Sequence, residues 1–330
     1  MLNFDKPKKL LTACPAYLIT PLRECLYNNH KIIIKDESNR MGLGSFKALG
    51  GFYAVAQLIS KQVDKQLPPN DYLSATVQKI AKDITFVCAS AGNHGIAVAA
   101  GAKVFGANAR IHLARTVPEE FAIRLRGKGA EVIRSGSTYE ESILAAVADA
   151  ESTNAIHLAD GSWPGYTEIP QLVMEGYTVI AEELRQEFEQ KKIWPTHVFL
   201  QAGVGGLAAS ICFMIRHNWQ VQPKIIIVEP ELAPCLAESV KQGKVCTVQG
   251  DVSNMGRLDC KTPSLLAFEI LRHLADSYVT VTDNEALKGI TIAKQFDIDT
   301  TPSGAAGLSA LIRDMDDDNL PLVIITEGHI

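Results

Sequence analysis

I-T-F-V-C-A-S-A-G-N-H, residues 84 to 94, reads as a strand that turns directly into a helix. The β-forming, largely apolar side chains stop at a Ser-Ala-Gly-Asn cluster, and no polar alternation marks one face of the run as wet. That is the pattern of a strand buried on both faces, in a parallel sheet covered by helices. The same arrangement recurs outward along the chain. Strands are expected at A-R-I-H-L-A (109 to 114), A-E-V-I-R (130 to 134), A-I-H-L-A (155 to 159), T-H-V-F-L-Q (196 to 201), K-I-I-I-V-E (224 to 229), Y-V-T-V-T (278 to 282) and L-V-I-I-T (322 to 326). Helices are expected after Asn93, from Pro118, Thr138, Glu168 and Gly205, from Asp283 as an N-cap, and from Ser303. Strands alternating with helices place the chain in the α/β class with open, mostly parallel sheets. The polar run from 61 to 82, with Pro68-Pro69 inside it, reads as a surface link between helices.

Composition excludes several roles. With 330 residues, 47% hydrophobic and 21% charged, the chain can bury a large core, and a net charge of −5 argues against a basic surface for nucleic acid. The first twenty residues lack a continuous apolar signal region, and no eighteen-residue apolar stretch follows, so neither secretion nor a membrane span is expected. Seven widely spaced cysteines, with no C-x-x-C, suggest reduced thiols in cytoplasm rather than a disulfide framework or a zinc site. Of these, Cys88, Cys212 and Cys235 sit in apolar contexts and read as small buried hydrophobes. Dinucleotide, P-loop, zincin and serine-hydrolase motifs are absent.

Four loops carry the chemistry, and they would lie at strand carboxyl ends, where open α/β sheets bind ligands. In K-D-E-S-N-R-M-G-L-G-S-F-K-A-L-G-G (35 to 51), Lys47 follows Phe46 at the start of an expected helix among apolar neighbours. Such surroundings lower an ammonium pKa and yield a nucleophile for an aldehyde, although a lone lysine here also reads as one that snorkels to the surface. In A-S-A-G-N-H (89 to 94), the N–H groups of a helix start suit a carboxylate, or simply make an N-cap. In Q-A-G-V-G-G-L (201 to 207), three glycines at a strand-to-helix turn suit a phosphate, or simply a tight turn. In I-I-T-E-G-H (324 to 329), Thr326 offers a neutral hydroxyl to a pyridine nitrogen, or is a bare strand end.

In this order the loops resemble the fold-type II pyridoxal 5′-phosphate (PLP) enzymes, the tryptophan synthase β-like superfamily. Within it the chain is most similar to the diaminopropionate ammonia-lyases. That likeness rests on the lysine loop, on D-G-S-W-P-G-Y-T-E-I-P (160 to 170) followed by M-E-G-Y (174 to 177), on P-T-H-V-F-L-Q-A-G-V-G-G (195 to 206), and on M-G-R-L-D-C-K-T-P-S (255 to 264). The resemblance implies two domains, residues 1–52 with 157–330 holding the cofactor and 53–156 forming a small mobile unit. It implies PLP joined to Lys47 beside Phe46, Asn93 on the ring hydroxyl, and Gly203, Val204, Gly205, Gly206 and Leu207 around the phosphate. Thr326 would meet the ring nitrogen, while Ser90, Ala91, Gly92 and His94 would line the substrate carboxylate. Asp160 would abstract a proton or hold the side-chain amine.

The implied activity is β-elimination from a small amino acid, foremost 2,3-diaminopropionate, to pyruvate and ammonia, by a homodimer. A serine or threonine dehydratase, a β-replacement synthase and a PLP-binding protein without catalysis are the alternatives. The chain departs from the pattern at Ala91 and Thr301, where an aspartate and a glutamate are expected, and at Lys261-Thr262, where a Gly-Glu pair is usual. Loss of the aspartate makes activity on a D-amino acid doubtful.

Overall fold

The computed structural model describes residues 2–63, 67–313 and 319–329. Two sheets organise them. The larger contains β1 (Leu22–Tyr27), β2 (His30–Asp36), β7 (His197–Gln201), β8 (Lys224–Pro230), β9 (Ser277–Val281) and β10 (Pro321–Ile325), in the order β1-β2-β10-β7-β8-β9. Every pairing in it is parallel except β1 with β2. The smaller sheet, all parallel, has the order β5-β4-β3-β6, from β3 (Thr85–Ala89), β4 (Asn108–Leu113), β5 (Glu131–Arg134) and β6 (Ile156–His157). All the strands expected from residue 84 onward are present, each within two residues of its expected start.

The hairpin β1–β2 was not among the expected strands. Its turn is Asn28-Asn29, at φ 49° and 67°, the left-handed pair that a two-residue hairpin requires and that asparagine tolerates. The apolar run Ile32-Ile33-Ile34 that follows is buried on both faces, each side chain contributing about 1.5–3 kcal/mol.

The helices are α1 (Asp5–Thr12), α2 (Lys47–Gln62), α3 (Ala75–Ala81), α4 (Asn93–Phe105), α5 (Glu119–Gly127), α6 (Tyr139–Thr153), α7 (Glu168–Lys191), α8 (Gly206–Asn218), α9 (Cys235–Gln242), α10 (Leu265–Leu274), α11 (Asp283–Gln295) and α12 (Pro302–Leu311). The stretch 61–82 is not a plain surface link. Its first residues finish α2, Ser74 caps α3 by accepting from Val77 N, and Tyr72, Val77 and Ala81 are buried; residues 64–66 lie outside the described set. Asp283 is not an N-cap either. Thr282 takes that place in a reciprocal capping box with Glu285, because its hydroxyl reaches Glu285 N while the Glu285 carboxylate reaches back to Thr282 N.

Helix α2 is wedged between α7 and α4, and glycines make this possible. A Cβ on Gly50 would stand 2.7 Å from Val173 O, one on Gly51 would stand 2.6 Å from Ala97 Cβ, and one on Gly176 would stand 2.6 Å from Leu49 O. The lysine loop is braced against α7 by a buried ion network as well. Arg40, with no exposed surface, donates to Glu37, to Thr20 and to both oxygens of Glu183, and Lys35 Nζ adds a 2.6 Å bond to Glu183. Together these contacts fix the start of α2 in space. Among the described residues no helix is long and apolar enough to cross a membrane.

Candidate active site

Loops from both sheets converge at strand carboxyl ends. After β2 the chain passes through the Arg40 network and docks on the end of β10, where Phe46 N donates to Thr326 O at 3.1 Å and Ser45 bridges Glu327. This places Lys47 as the first residue of α2, with Phe46 edge-on to Tyr177 at 4.9 Å between centroids.

Asp160 arrives from the other side, after β6, on a rigid turn. Trp163-Pro164-Gly165-Tyr166 has proline in its second place and glycine at φ 86° in its third, the requirement of a type II turn. The Trp163 and Tyr166 rings stack at 4.4 Å, and the Tyr166 hydroxyl donates to His157 O and accepts from Ala159 N. Ser162 completes the clamp by bonding Ser264 at the start of α10. So held, Asp160 Oδ2 accepts from Lys47 Nζ.

That pair corrects the expectation for Lys47. Burial alone would lower its pKa, but the Asp160 carboxylate, with a smaller effect from Tyr177, holds it well above the ordinary lysine value. Burial would raise Asp160, yet Lys47 and then His94 hold it well below the usual carboxylate range. The amine and carboxylate are thus charged, and each retains about a quarter of its side-chain surface (24% and 22%) facing the cleft.

Two helix starts flank the pair. At α4, Gly92 N is 3.3 Å from Ser90 Oγ, and His94 turns inward to place Nε2 2.8 Å from Leu158 O, its burial lowering its pKa. At α8, Gly205 stands at φ 95°, so an L side chain there would be strained. A Cβ on Gly203 would lie 3.0 Å from Cys260 Sγ and 3.1 Å from Arg257 O. Glycine is therefore what fits at these two positions of the turn, which includes Val204 and leads into Leu207. Burial, followed by Asp160, pushes the Cys260 thiol up to about 11, so it remains protonated.

These features fit the implied cofactor. Among the described residues Asn93 Oδ1 and the Tyr177 hydroxyl are buried without a partner, and the glycine turn would cradle an anion. Thr326 is buried at the end of β10, its hydroxyl 3.4 Å from Gln201 Nε2. Two residues here were not singled out from sequence, Glu327 and Arg257. Glu327 accepts from Asn93 Nδ2 and, at 2.5 Å, from Thr301 Oγ1, so a carboxylate stands beside position 301 although 301 is itself threonine. The signal was visible only as an acidic residue next to Thr326.

Known proteins of similar sequence and fold point to one family. The family described as pyridoxal-phosphate dependent enzyme matches residues 14–324. Diaminopropionate ammonia-lyase of Escherichia coli strain K12 is 34% identical over 295 residues, covering 87% of this chain and 73% of that protein. The holo selenomethionine crystal structure of the Escherichia coli lyase aligns with a TM-score of 0.86 at 30% identity, over 98% of this chain and 88% of that one. The same enzyme in complex with D-serine aligns at 0.86 and 30%, over 98% and 87%.

Proposed function

This chain belongs to the pyridoxal-phosphate dependent enzyme family, and on that premise we propose that it is a carbon–nitrogen lyase whose substrate is 2,3-diaminopropionate, converted to pyruvate and ammonia. The observation that carries the reading is the Lys47–Asp160 contact, set between the glycine turn at the start of α8 and the loop that starts α4. Lys47 would hold the cofactor, Asn93 would meet its ring hydroxyl, Gly203 to Leu207 its phosphate, and Thr326 its ring nitrogen. PLP, when bound, supplies an electron sink for the pair released when the Cα–H bond breaks.

The protein's own part is positioning and proton transfer. The Trp163–Tyr166 turn and the Ser162–Ser264 clamp fix Asp160, so its carboxylate can hold the β-ammonium of the substrate next to Lys47. In its neutral form the Lys47 amine can take the proton from Cα, and the β-ammonium held by Asp160 can leave as ammonia without receiving a further proton. Loss of the β-C–N bond releases one ammonia, and hydrolysis of the remaining enamine releases pyruvate and a second. The neutral thiol of Cys260 and the neutral ring of His94 leave Asp160 the nearest anion to the amine.

We further propose that the smaller sheet with its helices moves as a domain against the larger, although the expected division at residue 52 falls inside α2. A cytoplasmic homodimer is the proposed setting, in keeping with seven free cysteines. Dehydration of L-serine or L-threonine is the second reading, favoured by Ala91, where the aspartate expected of the ammonia-lyases is missing. The deciding experiment is a panel of amino acids in both enantiomers, assayed for keto acid and ammonia together. Two ammonias per pyruvate from diaminopropionate is the expected result. One ammonia per keto acid, from serine or threonine alone, would overturn it in favour of the dehydratase.

A further inference from the structure

Arg257 belongs to the loop M-G-R-L-D-C, and its backbone is anchored on both sides. Its N–H donates to Ser303 Oγ at 3.0 Å, and its carbonyl packs under the glycine turn, 3.1 Å from where a Gly203 Cβ would be. The side chain then reaches across to the other sheet. A Cβ on Gly92 would lie 3.3 Å from Arg257 Nε and 3.5 Å from its Cδ and Cζ, so the guanidinium rests against the loop Ser90-Ala91-Gly92 at the positive end of α4. Among the described residues this guanidinium makes no hydrogen bond. Among those residues its one ion pair is with Glu327, 3.6 Å from Nε, and its side chain is 38% exposed.

A second cation faces it. Arg124 on α5 has a buried Nη2 without a partner, and burial first, then the Arg257 guanidinium, hold Arg124 below its ordinary pKa. Glu327 already takes Asn93 and Thr301, so its carboxylate is shared three ways and leaves Arg257 only a long contact. The Arg257 guanidinium, set against the start of α4, thus keeps donors that Glu327 does not fill, and these suit an anion.

We propose that Arg257 binds the α-carboxylate of the amino-acid substrate, together with the backbone at the start of α4. The proposal deepens the reading given above and rests on it. It makes Arg257 a specificity residue that reads a planar carboxylate with a two-pronged donor, which a lysine at the same place reproduces only in part.

The test is titration of the holoenzyme with glycine and with glycinamide, followed by the shift of the cofactor's absorption band, which requires no turnover. In Arg257→Gln, glycine affinity should fall about 10- to 100-fold, the range of a charge-assisted hydrogen bond, while glycinamide affinity changes less than about twofold. Arg257→Lys should recover part of the loss. With substrate, KM should rise in the glutamine variant while kcat stays within about threefold. Equal glycine affinity in wild type and Arg257→Gln, or an equal loss for glycine and glycinamide, would overturn the proposal; the second result would mean that Arg257 only neutralises Glu327. If the wild type yields no keto acid from any amino acid, the assigned reaction falls, and the glycine titration still decides the role of Arg257.

Discussion

Thr301 Oγ1 donates to Glu327 Oε1 across 2.5 Å, while the other carboxylate oxygen takes the Asn93 amide from the opposite sheet. Thr301 also caps α12, since its hydroxyl accepts from Gly304 N at 3.0 Å. One side chain at the end of β10 therefore joins the last helix of the large sheet to the loop that starts α4.

Glu327 is 3% exposed, so its removal leaves donors without water to replace it. Glu327→Ala strands both Asn93 Nδ2 and Thr301 Oγ1, at about 1–3 kcal/mol each. Thr301→Ala removes one bond and leaves the carboxylate with Asn93, for a cost of about 1 kcal/mol plus the lost cap. Denaturant unfolding should rank Glu327→Ala clearly below Thr301→Ala, and equal losses would show that the carboxylate does not join the two elements.

Asp160→Asn should change how the protein captures PLP, in a direction set by the Lys47 pKa. Only the neutral amine attacks an aldehyde, and Asp160 keeps that amine protonated. Without the carboxylate, burial prevails and the amine loses its proton at lower pH. Capture of PLP by apoprotein should therefore speed up with pH in the wild type, and that rise should move to lower pH in Asp160→Asn, although turnover falls. The linkage signs agree. The raised Lys47 contributes stability below about pH 10 that is lost as pH rises through its folded value, and the depressed Asp160 contributes above about pH 4 and loses it as pH falls. An unmoved capture profile would contradict the pairing.

What the sequence made visible, and what it hid, follows from distance along the chain. The strands around Val87, Leu200 and Ile226 were legible because each is an apolar run ended by turn residues, and the loops bearing Asn93 and Gly203 were legible because they follow such runs. β1 hid because L-R-E-C-L-Y mixes charges with apolar residues, though Asn28-Asn29 marked its turn. The charge state of Lys47 was misjudged because its sequence neighbours are apolar, whereas the deciding group, Asp160, is 113 residues away. Glu327 meets Asn93 across 234 residues, and Arg257 acquires meaning only from Gly92, so neither was readable before the sheets were placed together.

Gly51→Ala should be costly for a reason unrelated to helix propensity. Its Cβ would fall 2.6 Å from Ala97 Cβ and 2.8 Å from Ala97 C, a backbone atom that cannot step aside. Overpacking of that kind costs about 1–3 kcal/mol and would push α2, with Lys47 at its start, away from α4. Gly127→Ala is the control, at the end of α5 with nothing within 4 Å of the added methyl, and should be neutral or stabilising by up to about 1 kcal/mol. The comparison is made by thermal unfolding and by PLP affinity. Equal behaviour of the two variants would remove the close-packing account of the K-A-L-G-G sequence.

The buried network around Glu183 yields a prediction with a definite sign in pH. Burial would raise the Glu183 pKa, but Arg40 and then Lys35 outweigh it and hold the carboxyl below its usual value. Arg40 is fully buried and Glu183 is 6% exposed, so neither charge has water to fall back on. Glu183→Gln leaves Arg40 and Lys35 short of an anion and, by the usual cost of breaking a buried pair, should lose about 3–5 kcal/mol at neutral pH. A depressed folded pKa means that the contribution is complete above the unfolded value near 4.3 and fades as pH falls through the folded one. The gap between wild type and Glu183→Gln, read as urea midpoints, should therefore narrow as the solution is taken below about pH 4. Tyr17 gives a second reading of the same anion, because its hydroxyl donates to Glu183 Oε1 at 2.6 Å and burial, then that carboxylate, holds the phenol above its normal pKa. A gap that stays constant from pH 7 to pH 3 would mean that the lysine loop is held to α7 by packing alone.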